Sequence, residues 1–211
     1  LFIGAEGTLG VIVDATIRLA RLPKNLTVLV LGTPDFAAIM QVLKHFQSRL
    51  DLTAFEFFSE IATAHVVASG KVARPFAELT PYYALLEFEA ENADLIETAM
   101  ELFQFCVEQG WVIEGVMSQS ESQAKNLWKL RESISETISV FTPYKNDIAI
   151  TVSNVPAFIA ELDVLVNQHY PDFDIVWFGH IGDGNVHLNI LKPDALPKEQ
   201  FFQHCQRVSQ W

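Results

Sequence analysis

The stretch Phe178-Gly179-His180-Ile181-Gly182-Asp183-Gly184-Asn185-Val186-His187-Leu188-Asn189-Ile190 constrains the fold most, because it can hardly be anything but a hairpin. Asp-Gly between two alternating apolar runs favours a two-residue type I′ turn, which needs positive φ at both central residues. With the turn at Asp183-Gly184, Gly182 opposes Asn185, Ile181 opposes Val186 and His180 opposes His187. Side chains alternate along a strand, so Phe178, His180, His187 and Asn189 share one face, and Ile181, Val186, Leu188 and Ile190 the other. The second face is core. The first carries two imidazoles near enough for one cation, since opposed Cβ atoms lie roughly 4.5–5.5 Å apart. Two ligands do not complete a metal site, and a pair of polar histidines, or one satisfied by a buried carboxylate, is the plainer alternative.

Elsewhere the chain repeats a unit of apolar strand, turn and amphipathic helix. Leu26 to Leu31 reads as a strand, after which Thr33-Pro34-Asp35 supplies an N-cap, a first-turn proline and a first-turn acid for a helix reaching about Leu50. Thr53 to Phe58 and Tyr82 to Phe88 are further strands, with Ser59 and Asn92 capping the helices that follow them. Trp111 to Met117 and Asp147 to Val152 continue the alternation, and a helix from about Asn154 to Gln168 leads to the hairpin. Strand pairs without intervening helices favour an α+β fold, an antiparallel sheet with helices packed on one face, over a parallel doubly wound one. Cys106 and Cys205 fall inside helical stripes and are expected to be buried free thiols of a reducing compartment.

A long helix from about Ser120 to Val140 is expected to hold the next candidate. Counting about 100° per residue from Leu127 puts Leu130, Ile134 and Ile138 on one stripe and Arg131 within it. A guanidinium there needs a buried carboxylate or a cleft that receives an anion. Glu132 points elsewhere on the helix, and Ser135 lies one turn on from Arg131.

At the N-terminal end Gly4-Ala5-Glu6-Gly7-Thr8-Leu9-Gly10 precedes alternating Val11, Val13, Ala15, Ile17 and Leu19, a glycine loop leading into a strand. Glycines let backbone N–H groups approach an anion such as a pyrophosphate. Acids outnumber bases 26 to 14 for a net charge of −12, with no basic stripe to track phosphates, so nucleic acid is not an expected partner. The apolar runs are short and interrupted, and no spanning helix is expected. The chain opens on Leu1-Phe2-Ile3 and stops in a helical pattern at Trp211, features expected of a piece of a longer polypeptide.

The hairpin resembles the signature of the C-terminal domain of FAD-linked oxidases of the vanillyl-alcohol-oxidase type, in the branch of D-lactate, glycolate and D-2-hydroxyglutarate dehydrogenases. The segment Gly4 to Val11 resembles that family's G-S-E-G-T-L-G-I, with Ala5 for Ser and Val11 for Ile. Trp128-Lys129-Leu130-Arg131-Glu132 looks like its W-x-L-R-E, and Tyr144-Lys145-Asn146-Asp147 meets its Y-K-x-D, after a connection one residue shorter. The resemblance implies two ferredoxin-like halves, with residues 1–24 the tail of an FAD-binding domain and 25–211 a substrate-binding cap. It implies catalytic roles for His180, His187 and Arg131, with a divalent metal, zinc by preference, on the two histidines. Arg131, Ser135, Lys145 and Asn189 would bind a small 2-hydroxy acid, with Arg131 gripping its carboxylate. Gly4, Glu6, Gly7, Thr8, Gly10, Val11 and Asn185 would contact FAD. The family's third metal ligand, a glutamate in E-H-G-I-G, has no counterpart before Trp211. The resemblance also admits a homodimer in the cytoplasm, or in the mitochondrial matrix of a eukaryote, and leaves the electron acceptor unnamed. Two other readings compete. One is a non-catalytic cap with an empty histidine pair; the other, a zinc hydrolase, lacks a general base at an H-E-x-x-H spacing.

Overall fold

The computed structural model describes residues 2–211; Leu1, the first residue of the expected FAD-domain tail, lies outside them. The first half of the fold comprises β1 (Leu26–Thr33), α1 (Phe36–Gln47), β2 (Leu52–Ser59), α2 (Glu60–Ala68), β3 (Tyr82–Glu89), α3 (Ala93–Glu108) and β4 (Glu114–Met117). Two helices follow, α4 (Glu121–Glu132) and α5 (Ile134–Ile138). The second half is β5 (Tyr144–Ala149), α6 (Val155–His169), β6 (Asp174–His180), β7 (Asn185–Leu191) and α7 (Lys198–Val208).

The strands form one sheet in the order β4-β1-β3-β2-β6-β7-β5, and every neighbouring pair is antiparallel. In the first half β1-α1-β2-β3-α3-β4 lie in the order β4-β1-β3-β2, the ferredoxin-like path, with α2 inserted between β2 and β3. The second half repeats that path through β5-α6-β6-β7-α7. The halves meet at β2 and β6, where only Phe57–Gly179 and Phe58–Phe178 are in register. The antiparallel α+β class read from the sequence is therefore the one observed.

The helices, expected on one face, cover both. On one face α1, α3, α6 and α7 pack around Phe46, Phe57, Leu86, Trp177, Ile190 and Phe201. On the other, α2, α4 and α5 pack Val66, Leu130, Ile134 and Ile138 against Val30, Phe58, Leu85 and Phe178. The central strands explain this: β1 is buried at consecutive positions from Thr27 to Thr33, so both of its faces need cover. The second layer covers Leu191 and Asn189 of β7 but stops short of β5, where Lys145, Asp147 and Ala149 are exposed on that face.

Four local expectations change. Asp35, not Thr33, caps α1, its carboxylate accepting from the Ala38 N–H at 2.7 Å, because Thr33 is the last residue of β1 and pairs with Tyr82. The single helix expected from Ser120 to Val140 is interrupted at Ser133 into α4 and α5, with a 3-10 turn after them. The strand expected over Asp147 to Val152 begins three residues earlier, at Tyr144, because β7 offers its ladder from Ile190 to Asn185. Residues 11–24, expected to open as a strand, contain none: Val11, Val13, Ile17 and Leu19 are exposed, and alternation without a neighbouring strand gives backbone groups no ladder to join. Among its ties to the rest, the Arg21 guanidinium forms a two-pronged pair with Glu89.

Both cysteines are free and buried, and burial pushes the Cys106 thiol up to about 11 and Cys205 up to about 12. At pH 8 native protein should resist iodoacetamide, while urea-unfolded protein should take two labels, as counted by intact mass. Rapid labelling of native protein would mean that α3 or α7 is not packed as described.

Candidate functional site

The hairpin's turn differs from expectation while its faces do not. Phe178 opposes His187, Gly179 opposes Val186 and His180 opposes Asn185, so the loop is the four residues Ile181 to Gly184 and not the two-residue Asp183-Gly184 turn. Asp183 N–H donates to the His180 carbonyl at 3.2 Å and Gly184 N–H to the Ile181 carbonyl at 3.3 Å. Gly184 alone in the loop has positive φ, at 77°, so the type I′ geometry is not met. Ile181 supplies the reason: in the longer loop its side chain is fully buried against the core. The register is displaced by two residues, and because the side-chain period is also two, His180, His187, Phe178 and Asn189 still share a face. The imidazole centroids are 5.4 Å apart, with ring planes at 81°.

That face presents three cross-strand rows over β6, β7 and β5: Val176–Asn189–Lys145, Phe178–His187–Asp147 and His180–Asn185–Ala149. From β2, Glu56 joins the last row, its Oε1 2.6 Å from His180 Nδ1. From α4, Arg131 reaches down onto the same spot. Trp128 anchors that helix by donating its indole N–H to Glu87 of β3 at 2.7 Å, and Leu130 is buried beneath it. Arg131 Nε then donates to Glu56 Oε2 at 2.8 Å, with the guanidinium carbon 4.7 Å from the Phe178 ring centroid. Side-chain exposures of 11 % for Arg131 and 8 % for Glu56 make this a buried ion pair. Burial lowers the Arg131 pKa from its ordinary value and Glu56 opposes the drop; an arginine stays charged in either case.

Of the alternatives posed by its helical angle, Arg131 thus meets a buried carboxylate. It spends Nε there, and its two terminal nitrogens make no hydrogen bond among the described residues, so an anion arriving from the open side still finds a forked donor. His187 Nδ1 is held in a close hydrogen bond by Asp147, its partner on β5. Asn189 is buried, yet its side chain has no hydrogen-bond partner among the described residues, which leaves an amide available beside Phe178. Asn185 lies opposite His180 with its Oδ1 buried and without a hydrogen-bond partner among the described residues.

Lys145 is brought to the same face, exposed on β5. Ser135 is not brought into contact: it is exposed on α5, past the break at Ser133, and no hydrogen bond links it to the cluster. Gly4, Glu6, Gly7, Thr8, Gly10 and Val11 lie in the segment before β1, and no hydrogen bond among the described residues links them to these strands. Gly4 and Gly7 both have φ near +79° with open space where a Cβ would project, and the Thr8 N–H and hydroxyl both donate to the Ala5 carbonyl. Among the described residues no three His, Cys, Asp or Glu side chains stand as a metal-ligand set; the two histidines remain a pair.

Sequence reasoning missed Glu56 and Asp147. Glu56 had a signal, a lone acid within the apolar run Phe55-Glu56-Phe57-Phe58, which demands a buried partner as Arg131 does. Asp147 was visible only as part of the Y-K-x-D pattern.

Residues 22–202 match the family model described as FAD linked oxidases, C-terminal domain. The whole chain is 65 % identical to 46 % of a D-2-hydroxyglutarate dehydrogenase of Stutzerimonas stutzeri. Another of that name, from Xanthomonas citri pv. viticola, is 51 % identical over 99 % of the chain and 44 % of its own length. A putative mitochondrial D-lactate dehydrogenase of Schizosaccharomyces pombe is 31 % identical over 90 % of the chain and 39 % of its length. The chain thus spans less than half the length of these curated relatives. Among solved structures, alkyldihydroxyacetonephosphate synthase superposes with a TM-score of 0.61 at 12 % identity, over 98 % of this chain and 42 % of that one, a likeness of fold. No helix among the described residues is long and apolar enough to cross a membrane.

Proposed function

The chain belongs to the FAD-linked oxidases through their C-terminal domain, and from that premise we propose that it is the substrate-binding portion of a flavoprotein that oxidises a D-2-hydroxy acid, 2-hydroxyglutarate first among them. The observation that carries the reading is the meeting, on one face of the sheet, of a buried arginine whose terminal nitrogens have no partner among the described residues and a pair of histidines whose ring centroids are 5.4 Å apart. A 2-hydroxy acid has the matching polarity, a carboxylate next to a hydroxyl. Residues 1–24 belong in this reading to an FAD-binding domain, and 25–211 to the cap over it.

Arg131 would take the substrate carboxylate on its terminal nitrogens, oriented by Phe178 below and Glu56 behind. Asn189 would offer its buried amide to a substrate oxygen, and Lys145 on the open rim would add positive charge. His180 and His187 fit two positions of a divalent-metal site, zinc by ligand type, because each has Nδ1 on a carboxylate and Nε2 without a partner among the described residues. The remaining ligands would come from outside these residues. The positive-φ glycines at 4 and 7, clear of any Cβ contact, fit a close approach to FAD, with Glu6, Thr8, Gly10, Val11 and Asn185 beside it. When bound, FAD supplies the hydride acceptor and the metal supplies Lewis acidity at the substrate hydroxyl. Confinement to the cytoplasm, or to the matrix of a mitochondrion, and a homodimer belong to the same reading.

The full-length protein should show flavin absorbance that bleaches anaerobically with D-2-hydroxyglutarate more readily than with D-lactate or glycolate, and it should contain stoichiometric divalent metal. Flavin that none of these acids reduces would overturn the reading and favour a non-catalytic cap.

A further inference from the structure

Across four neighbouring strands the site residues run Glu56 on β2, His180 on β6, His187 on β7 and Asp147 on β5, with the two acids flanking the two histidines from outside. We infer that Glu56 and Asp147 are positioning residues that hold both imidazoles with a proton on Nδ1 and a bare Nε2, and that Glu56 also ties this pair to Arg131. The inference rests on the metal and substrate roles proposed above and concerns what enforces them.

An ionised carboxylate only accepts hydrogen bonds, so an imidazole nitrogen facing one must carry the proton. Nδ1 of both rings faces a carboxylate, Glu56 at 2.6 Å for His180 and Asp147 in the close contact with His187. In the neutral ring the lone pair is then on Nε2, the only nitrogen from which such a histidine can ligate a cation. The carboxylates have different burdens. Asp147 is exposed and serves His187 alone, steadied by their direct pairing across β5 and β7. Glu56 is buried and uses both oxygens, Oε1 on His180 and Oε2 on Arg131 Nε. That second bond fixes which edge of the guanidinium is spent and which is left for the substrate carboxylate. Removing Asp147 should therefore disturb only the cation half of the site, and neutralising Glu56 should disturb both halves.

The test uses the full-length, flavin-loaded protein and its Asp147→Ala and Glu56→Gln variants. Zn²⁺ affinity is measured by chelator competition, and KM for D-2-hydroxyglutarate at saturating Zn²⁺. Outer carboxylates of this kind typically alter metal affinity 10–100-fold, and a loss of that order is expected in both variants. A KM raised about tenfold at saturating Zn²⁺ is expected only in Glu56→Gln, as one weakened charge-assisted bond implies. Wild-type protein that binds Zn²⁺ and oxidises the acid, with both variants within twofold of it in affinity and KM, overturns the inference and leaves the activity intact. Wild-type protein that takes up no Zn²⁺ overturns the metal reading and the inference together. Because Glu56→Gln puts an amide in a buried ion pair and could fail to fold, ¹⁵N shifts of the wild-type histidines supply a second measurement. Read in the neutral rings of the metal-free protein, a proton on Nδ1 supports the inference, and a proton on Nε2 overturns it.

Discussion

With the proposed activity, replacing Arg131 by lysine in the full-length protein should lower kcat/KM for a 2-hydroxy acid by at least about tenfold, since each 1.4 kcal/mol is a decade and a charge-assisted bond is worth roughly 1.5–3 kcal/mol. Lysine keeps the charge but has neither the fork for a carboxylate nor a separate Nε for Glu56, so it must choose between Glu56 and the proposed substrate carboxylate. Arg131→Met goes further, because it strands the Glu56 carboxylate. Removing one member of a buried ion pair costs about 3–5 kcal/mol, and the lower end is expected here because His180 remains beside Glu56. Chemical denaturation of the two variants separates the effects. A lysine variant with normal stability and normal kcat/KM would make Arg131 purely a brace for Glu56.

Gly184→Val should be the most damaging single change in the hairpin. Gly184 sits at φ 77°, and a Cβ added there would lie 2.0 Å from the Ile150 carbonyl oxygen, a backbone atom that cannot swing aside. The Ile150 N–H donates to the Gly184 carbonyl at 3.0 Å, so moving the loop away breaks the tie that closes β5 onto it. Left-handed backbone costs a non-glycine about 1–2 kcal/mol and overpacking a further 1–3, together about 2–5 kcal/mol. At roughly 2–4 °C per kcal/mol for a domain of this size, Tm should fall by about 4–20 °C. An unchanged Tm would show that the loop does not approach Ile150.

How much of this could be read in advance depended on the range of the interaction. Caps, stripes and alternation are local, and they placed α3 behind Asn92 and the strands at Leu26, Thr53 and Tyr82 close to where they lie. The hairpin register was misjudged because Asp183-Gly184 is a strong local turn signal, whereas the demand that outweighed it, a core position for Ile181, is set by elements far along the chain. The faces of His180 and His187 survived because the error was an even number. Arg131 was recognisable as an anomaly within an apolar stripe, but its partner Glu56 is 75 residues away, and nothing local links a strand acid to a helix base across that distance. The break at Ser133 left Ser135 exposed, which no helical wheel drawn through an unbroken helix could anticipate.

The seam between β2 and β6 has a mechanical consequence. With only two register pairs joining the halves of the sheet, the junction resembles a short weld, and the Arg131–Glu56–His180 chain crosses it as a rivet driven from outside. Glu56 and the helix bearing Arg131 pack with the first half, and His180 belongs to the second. Load placed on the face that bears them is therefore carried across the joint, and the amides on the seam side of the alternating ladder, those of Phe57, Trp177 and Gly179, become a strain gauge. Their hydrogen exchange should slow when the site is occupied, and should quicken when Glu56 is neutralised, before any other part of the sheet responds.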